Sequence, residues 1–354
     1  MAVWRKCSNF AGMKCKMFHR VNFYGLLLTA GMLLAGCSKD SGDSAQQAKQ
    51  EPQEIRVQTN VTNVLEGRRA QTYSVVGDLQ TEAHFTCVAY EANSNPLVAY
   101  IPTTTVDWNS TQWQFNNGAS HYYWPLPATN GGAWPSLDFF GYMPATRPSY
   151  IAAEPAITYT ADHNVTFTCS SLPMTYNSET PTTGQGSSLK EFMFGMALDQ
   201  NYGNAAAGVP LTFQHPFARI KLMLAASHPN VTINSITFRS IKNNGSYDHS
   251  ATPKWSTSGG DANFVLTLTG DDRVFDNNPA SPTQIGTDFI MIPQNWTGEI
   301  VVNADCLFWG NKVNYSSLTT TIPTNWQPGY SYTYTFNISP DDLIVNIAKF
   351  TEQW

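Results

Sequence analysis

The sequence predicts an all-β protein, and three observations support that prediction. Apolar and polar residues alternate along most of the chain, which is the pattern of strands buried on one face. The spacing of three and four residues that marks an amphipathic helix is nearly absent. Turn-forming dipeptides separate the alternating runs, at Asn117-Gly118, Asn244-Gly245, Gly259-Gly260 and Gly270-Asp271. Many short strands with such turns are typical of β-sandwiches and barrels.

Residues 1–36 have the parts of a secretory signal: a basic region ending at Arg20, an apolar run from Tyr24 to Ala35, and a small residue before Cys37. The apolar run is much shorter than the roughly 20 residues that span a bilayer. Leu34-Ala35-Gly36-Cys37 resembles the lipobox of bacterial lipoproteins, in which the cysteine is lipidated and cleavage precedes it. We expect Cys37 to carry a lipid anchor. The alternative is an ordinary signal peptide with an incidental cysteine.

Composition shifts along the chain predict a tether and two domains. Residues 37–53 are small and polar without apolar periodicity, as expected for a solvated tether. A loose segment from Gln200 to Gly208 precedes a strand-like run. We therefore expect an N-terminal domain over residues 54–208 and a C-terminal domain over residues 209–354, each with its own core.

The charge balance and the cysteines narrow the class of protein. Charged residues make up 13% of the chain, aromatic residues also make up 13%, and the net charge is −6. This composition suits an extracellular β protein and argues against a nucleic-acid partner. Cys87, Cys169 and Cys306 are an odd set in strand-like sequence. Export permits a disulfide between Cys87 and Cys169, but buried free thiols are the favoured interpretation.

No stretch of the sequence predicts catalysis, a metal site or a cofactor. The chain has no nucleophile elbow, paired-histidine metal helix, phosphate loop or calcium loop with its required spacing. The histidines are scattered, and His215 at a predicted strand start is interpreted as structural. We therefore expect that the protein is not an enzyme.

Six aromatic residues cluster in the first predicted domain and admit two interpretations. They are Trp108, Trp113, Tyr122, Tyr123, Trp124 and Trp134. Aromatic residues are favoured in strands and cores, so the preferred interpretation is that they pack and cover a sheet. Exposed aromatic rings also stack on sugars. The alternative function is therefore a surface glycan-binding lipoprotein.

Several short motifs, in order along the chain, resemble those of the fimbrillin-like family, which supplies the subunits of type V pili. Tyr122-Tyr123-Trp124-Pro125 and the segment from Leu137 to Pro144 resemble its tryptophan-proline and aspartate-aromatic-proline motifs. The run from Pro210 to Ile220 resembles its histidine-centred strand. Later matches are Ile292-Pro293-Gln294 and the run from Trp326 to Tyr332.

This resemblance implies a fold and an assembly mechanism. The fold would be two transthyretin-like Greek-key β-sandwich domains in tandem. The lipoprotein would reach the surface of the outer membrane, where an arginine-specific protease removes its first strand. A strand from a neighbouring pilin subunit would then fill the open groove and build a fimbrium that serves cell adhesion, with a host or bacterial surface ligand as a further partner. Loss of an edge strand exposes backbone groups that another chain can pair.

The sequence contains a matching first strand and a basic site after it. Ile55, Val57, Thr59 and Val61 alternate as a half-buried strand should. Gly67-Arg68-Arg69-Ala70 follows, and we expect cleavage after Arg69 with Ala70 as the new first residue. Cleavage after Arg68 is the alternative. The competing interpretation is a basic surface turn that is not cut.

The C-terminal segment is the candidate donor strand. Its apolar residues are Leu343, Val345, Ile347, Phe350 and Trp354. The segment is equally consistent with a last strand of its own sandwich. It is also shorter than the tail of typical stalk subunits, so the sequence leaves stalk, tip and anchor roles open.

Overall fold

The computed structural model describes residues 51–61, 84–129, 131–158, 164–178, 184–185, 190–226, 230–276, 281–308, 311–338 and 343–350. Almost all regular structure in these ranges is β, which confirms the predicted fold class. The described helices are one four-residue α-helix, Tyr202–Ala205, and two short 3-10 turns, Asn116–Gly118 and Gly270–Arg273. Asn201 caps the α-helix by accepting hydrogen bonds from Gly203 and Asn204.

The strands are numbered here in chain order. They are β1 (Val57–Val61), β2 (His84–Glu91), β3 (Ala99–Trp108), β4 (Trp113–Phe115), β5 (Leu137–Met143), β6 (Ala156–Thr158), β7 (Asn164–Cys169), β8 (Thr175–Asn177), β9 (Met193–Gln200), β10 (Val209–Gln214), β11 (Ala218–Leu224), β12 (Asn230–Ile241), β13 (Asn244–Asp248), β14 (Trp255–Ser258), β15 (Ala262–Thr267), β16 (Val274–Phe275), β17 (Thr283–Gln284), β18 (Phe289–Met291), β19 (Asn295–Trp296), β20 (Glu299–Phe308), β21 (Asn311–Thr321), β22 (Thr324–Asn325), β23 (Ser331–Ile338) and β24 (Leu343–Phe350).

These strands form four main sheets within the described ranges. The first sheet has the order β1-β10-β9-β5-β2-β3-β4. The second has the order β17-β11-β23-β24, with β18 also paired to β11. The third has the order β21-β20-β12-β15-β8, with β16 also paired to β12. The fourth has the order β14-β13-β7-β6, and β19 pairs with β22 separately.

The second and third sheets enclose one core, which we name the C-terminal core. Alternate residues of β11, from Ala218 to Leu224, are fully buried, and so are Ile236 and Phe238 of β12. Trp296 and Trp326 stack with ring centroids 5.3 Å apart at its end. Alternate burial from two facing sheets is the arrangement of a β-sandwich.

The central strands of the first sheet, β2, β5 and β9, are largely buried on both faces. One face encloses the inner core, to which Phe85, Phe139 and Phe213 contribute. The opposite face, including Phe140 and Phe194, packs against the fourth sheet and forms the middle core. Because successive strand residues point to opposite faces, Phe139 and Phe140 enter different cores.

The middle core contains residues from both sides of Gly208. Strands β6 and β7 precede Gly208 and pair in one sheet with β13 and β14, which follow it. Strand β10 also follows Gly208, yet it lies in the first sheet beside β9. The described residues thus form three buried clusters, where the sequence predicts two cores in series. The division into tandem domains over 54–208 and 209–354 stays a prediction.

Three of the four predicted turns are confirmed and one is wrong. Gly118, Gly259 and Gly270 have positive φ angles at chain reversals. Asn244-Gly245 instead lies inside β13, where Gly245 pairs with Thr257 and Cys169. A Cβ atom on Gly245 would lie 2.9 Å from the Ser256 carbonyl oxygen. This glycine therefore serves close strand packing instead of a turn.

Candidate functional site

Strand β1 lies at one edge of the first sheet and pairs in parallel with β10. The register runs from Val57 opposite Val209 to Val61 opposite Phe213. The Val209 N–H donates to the Arg56 carbonyl at 2.7 Å, so the backbone groups of Val57 and Thr59 face away from β10. Just before the strand, the Ile55 N–H donates to the Tyr122 carbonyl at 2.8 Å. In backbone hydrogen bonds, the segment is therefore paired with β10 along one side, and the backbone bond described on the other side lies just before the strand.

The inward side chains of β1 and its preceding residues are part of the inner core. The exposed fraction is 2% for Ile55, 5% for Val57 and 6% for Thr59, while Arg56 and Gln58 between them are exposed. This is the alternation that the sequence predicts. Full burial of an Ile or Val side chain stabilises the fold by about 1.5–3 kcal/mol, so this segment contributes to the core as well as to the sheet.

Polar contacts fix the position of β1 against its neighbours. The Trp113 Nε1–H donates to Thr59 Oγ1 at 3.0 Å, and the Gln58 amide donates to the Ala207 carbonyl at 2.8 Å. Gly208 has a φ of +134°, and a Cβ atom there would lie 2.8 Å from Gln58 Cγ. A glycine at position 208 thus allows the chain to turn into β10 directly beside β1.

Several predicted site residues lie outside the described residues. These are the lipidation site Cys37, the cleavage residues Arg68, Arg69 and Ala70, and the C-terminal Trp354. The expectations attached to them stay predictions. The described part of the chain ends its first segment at Val61, seven positions before Arg68.

Strand β24 lies at the edge of the second sheet. It pairs in antiparallel register with β23, from Leu343 opposite Ile338 to Phe350 opposite Ser331. Val345 and Ile347 are half-buried against the C-terminal core, and Ile344 is 49% exposed. By contrast, Tyr334 and Phe336 of β23 are fully buried. The described side chains of the candidate donor strand, from Ile344 to Ala348, therefore cover the core from outside.

The aromatic residues of the first sheet mostly serve packing, as the preferred interpretation predicts. Trp113 and Trp124 are buried in the inner core, and Trp108, Tyr122 and Trp134 pack against it half-buried. Tyr123 is 46% exposed. Trp108 contacts Trp113 with ring centroids 5.3 Å apart, and Trp134 contacts Tyr202 at 5.0 Å.

A groove of about 570 Å³ lies between β1 and β4, the two edges of the first sheet. The β1 side contributes Ile55, Val57 and Thr59. The opposite side contributes Trp108, Thr111, Gln112, Gln114, Phe115 and Ser120. At one end, His121 Nδ1 lies 2.6 Å from Glu54 Oε1. The groove has both polar and aromatic walls.

His215 forms a structural hydrogen-bonded pair with Glu191. Its Nδ1 lies 2.8 Å from Glu191 Oε2, and both side chains are largely buried. Loss of hydration raises the pKa of the Glu191 carboxyl, while His215 and Arg219 oppose that rise. Arg219 also pairs with Asp288. The pair connects the start of β9 to the end of β10, which supports the structural interpretation of His215.

Two buried polar residues organise the fold in ways that the sequence does not reveal. Asp138 is fully buried, and its Oδ1 accepts from the N–H of Asp199, whose φ is +53°. Gln185 joins two segments, because its amide donates to the Pro173 and Ile290 carbonyls and accepts from the Ile290 N–H. Each satisfies backbone groups that strand pairing leaves open.

The three described cysteines are buried and free, which confirms the favoured interpretation. Burial raises the pKa of Cys87 and Cys169 to about 12 and that of Cys306 to about 11. Because the thiolate is the reactive form, these thiols are unreactive at neutral pH. Their role is to fill the cores.

Neither a metal site nor a membrane-spanning helix is found among the described residues. No group of three His, Cys, Asp or Glu side chains within the described ranges is arranged to hold a metal ion. None of the described helices is long and apolar enough to span a membrane.

Comparison with solved structures finds several fimbrial proteins. A fimbrial protein from Bacteroides vulgatus ATCC 8482 is 14% identical, with a TM-score of 0.57 over 85% of this chain and 99% of that one. The fimbrial anchor protein Mfa2 from Porphyromonas gingivalis is 9% identical, with a TM-score of 0.35 over 84% of this chain and 97% of that one. The first of these likenesses shows a shared fold. No curated protein matches the chain.

Comparison with protein families gives a match over most of the chain. The sequence model of the family described as Fimbrillin-like matches residues 69–354. The match contains the described strands from β2 to β24 and leaves out β1. This chain therefore belongs to the fimbrillin-like family.

Proposed function

We propose that the protein is a pilus subunit or pilus-like adhesin that assembles by exchange of an edge strand. The observation that carries this proposal is the position of β1: an edge strand whose alternate side chains fill the inner core. Membership of the fimbrillin-like family and the fold shared with a fimbrial protein support the pilus role. The role is structural and adhesive, with no reaction of its own.

Export and anchoring form the first stage of the proposal. The signal segment directs the chain out of the cytoplasm, and lipid on Cys37 holds it on the outer membrane. The polar tether over residues 37–53 leaves the folded part at the cell surface. The subunit therefore waits on the membrane before it enters a fimbrium.

Cleavage after Arg69, or after Arg68, is the second stage. It separates β1 from the body, so that β1 is held only by non-covalent contacts with β10, with the inner core and, through Trp113 and Tyr122, with the opposite side of the first sheet. Release of Ile55 and Val57 uncovers two apolar positions worth about 3–6 kcal/mol together, and also the unpaired edge of β10. We name the space that β1 leaves beside β10 the acceptor groove. A body with an open acceptor groove has a strong tendency to capture another strand.

In the third stage, a strand from a neighbouring subunit fills the acceptor groove. Strand β24 is the candidate, because it lies at a sheet edge and its inward residues Val345 and Ile347 are only half-buried in their own subunit. An eight-residue strand can span the five-residue register that β1 makes with β10. Pairing with backbone groups gives affinity, and alternate side chains in the groove give specificity.

Mass spectrometry of subunits from native pili tests this proposal. The expected first residue is Ala70, with the segment from Ile55 to Val61 absent. Subunits in pili that retain this segment would contradict strand exchange at β1. Subunits that begin elsewhere than at residues 69 or 70 would contradict the assigned cleavage site.

A further inference from the structure

We propose that the groove between β1 and β4 is a binding site for a short neutral saccharide. The volume of about 570 Å³ lies within the range of about 300–1,000 Å³ that is typical of small-ligand sites. The proposal does not depend on strand exchange, because it concerns the uncleaved monomer with β1 in place.

Trp108 supplies the apolar surface that a sugar ring requires. The indole is half-buried, so part of it faces the groove. Its tilted contact with Trp113, at 5.3 Å between ring centroids, holds it in a fixed orientation. A fixed aromatic ring offers a large contact area at a low cost in conformational entropy.

Side-chain amides and hydroxyls supply the polar contacts. Gln112 is exposed and Gln114 is half-buried, and neither amide group has a hydrogen-bond partner within the part of the chain that is described. Each amide both donates and accepts, as sugar hydroxyls do. Thr111 and Ser120 add hydroxyl groups to the same wall. Thr111 Oγ1 already donates to Asn109 Oδ1 at 2.8 Å, and Ser120 Oγ accepts from Asn116 Nδ2 at 3.5 Å, so the hydroxyl groups keep only part of their hydrogen-bonding capacity. The two amide groups are therefore the main polar groups that the groove offers beside its aromatic surface.

The charges of the groove favour a neutral ligand. Its charged residues are Glu54, Arg56 and His121. One carboxylate and one guanidinium cancel, and Glu54 already pairs with His121. A site for an anionic polysaccharide would instead require an excess of basic groups.

A peptide strand fits this groove less well than a saccharide. An added strand would have to lie between β1 and β4, with a spacing of about 4.7–4.9 Å to each neighbour. The hydrogen bond from Trp113 Nε1 to Thr59 Oγ1, at 3.0 Å, already joins the two edges. Insertion would break this buried bond, whereas a saccharide can bind on the outer side of it.

Saturation-transfer NMR and calorimetry on the uncleaved, lipid-free protein starting at Ser38 test the site. The probes are lactose, maltose, cellobiose and chitobiose, and a synthetic peptide with the sequence of residues 343–350. Trp108→Ala removes the aromatic surface. Gln112→Ala removes an exposed amide and leaves the core intact. Trp134→Ala is the matched control, since Trp134 is also half-buried against the inner core but does not line the groove.

We expect at least one disaccharide to bind. Its affinity should fall about tenfold in Trp108→Ala and about threefold to tenfold in Gln112→Ala, and remain unchanged in Trp134→Ala. Failure of all four sugars to bind would overturn the proposal. Equal binding by Gln112→Ala and the parent protein would also overturn it, and so would a groove that binds the peptide alone. None of these outcomes affects strand exchange, which is measured on cleaved protein.

Discussion

The first and last described strands both lie at sheet edges, but they are held in different ways. Strand β1 has five residues and pairs in parallel with β10, and the side chains of Ile55, Val57 and Thr59 are at most 6% exposed. Strand β24 has eight residues and pairs in antiparallel fashion with β23, yet Val345 and Ile347 are only half-buried. Strand β1 thus has the shorter ladder and the deeper side chains.

This difference assigns the two edges different roles in the proposed assembly. Removal of β1 opens a core, so the first sheet gains much from a replacement strand. Removal of β24 uncovers a surface that is already partly exposed to solvent, so release of β24 costs less free energy. In the proposed assembly, the first sheet is therefore the acceptor and β24 is the candidate donor. The following predictions test this contrast, from the largest expected effect to the smallest.

Deletion of residues 342–354 should abolish polymerisation after cleavage with an arginine-specific protease, while the cleaved monomer stays folded. The reason is that the donor strand is missing and the acceptor groove is intact. Gel electrophoresis without boiling measures the polymers. Polymerisation at the parent level would remove β24 as the donor.

A pair of point variants guards against a folding defect in the deletion. Ile347→Asp places a charge on the face of β24 that would enter the acceptor groove. Asn346→Asp places a charge on the opposite, exposed face of β24. Only Ile347→Asp should block polymer growth, because burial of an unpaired carboxylate is strongly unfavourable. Equal effects of the two variants would contradict the assigned facing of the strand.

Ile55→Ala should reduce the free energy of unfolding by about 2–5 kcal/mol, the usual cost of a cavity in a core. Ile347→Ala should cost less than about 2 kcal/mol, since that side chain is half-buried and leaves no closed cavity. Urea unfolding of the uncleaved monomers measures both. Similar losses of free energy would mean that Ile55 and Ile347 contribute equally to their cores, which would contradict the difference between the two edge strands.

Thr59→Val should cost about 1–3 kcal/mol, because it leaves the buried Trp113 Nε1–H without its acceptor. It should also speed hydrogen exchange at the amides of β1. Thr86→Val is the matched control: it too removes a hydroxyl bond, to the Ala145 carbonyl at 3.2 Å, but in β2 away from the edge. Faster exchange in β1 for both variants would indicate a general loss of stability.

The smallest expected effect is a pH dependence from Glu191, which with His215 ties β9 to β10 on the acceptor side. Because burial raises the pKa of Glu191, its contribution to stability is present below about pH 4.5 and is lost as the pH rises through the raised value. Favourable contacts with His215 and Arg219 limit the effect. The urea midpoint of Glu191→Gln minus that of the parent protein should therefore increase as the pH rises from about 4 to 8. A difference that stays constant over this range would contradict the prediction.

The sequence predicts the strands well because burial leaves a local pattern of period two. The alternation at Ile55, Val57 and Thr59 is reproduced in the buried fractions, and the burial of Cys87 and Cys169 agrees with their strand-like surroundings. These features depend on near neighbours in the chain.

The sequence could not predict which strands pair. The pairing of β7 with β13 joins residues about 80 positions apart, and no local pattern encodes it. The roles of Asp138 and Gln185 depend on the carbonyl and N–H groups of distant segments for the same reason. The groove likewise exists only because the first sheet brings β1 and β4 together.

Treatment of the lipid-free protein starting at Ser38 with an arginine-specific protease tests the central claim most directly. The N-terminus and the size of the product are followed together. Strand exchange at β1 predicts a cut after Arg69 or Arg68, followed by heat-resistant ladders of polymers. A monomer that is cut there, releases β1, forms no polymer and does not bind a peptide of residues 343–350 would contradict the claim.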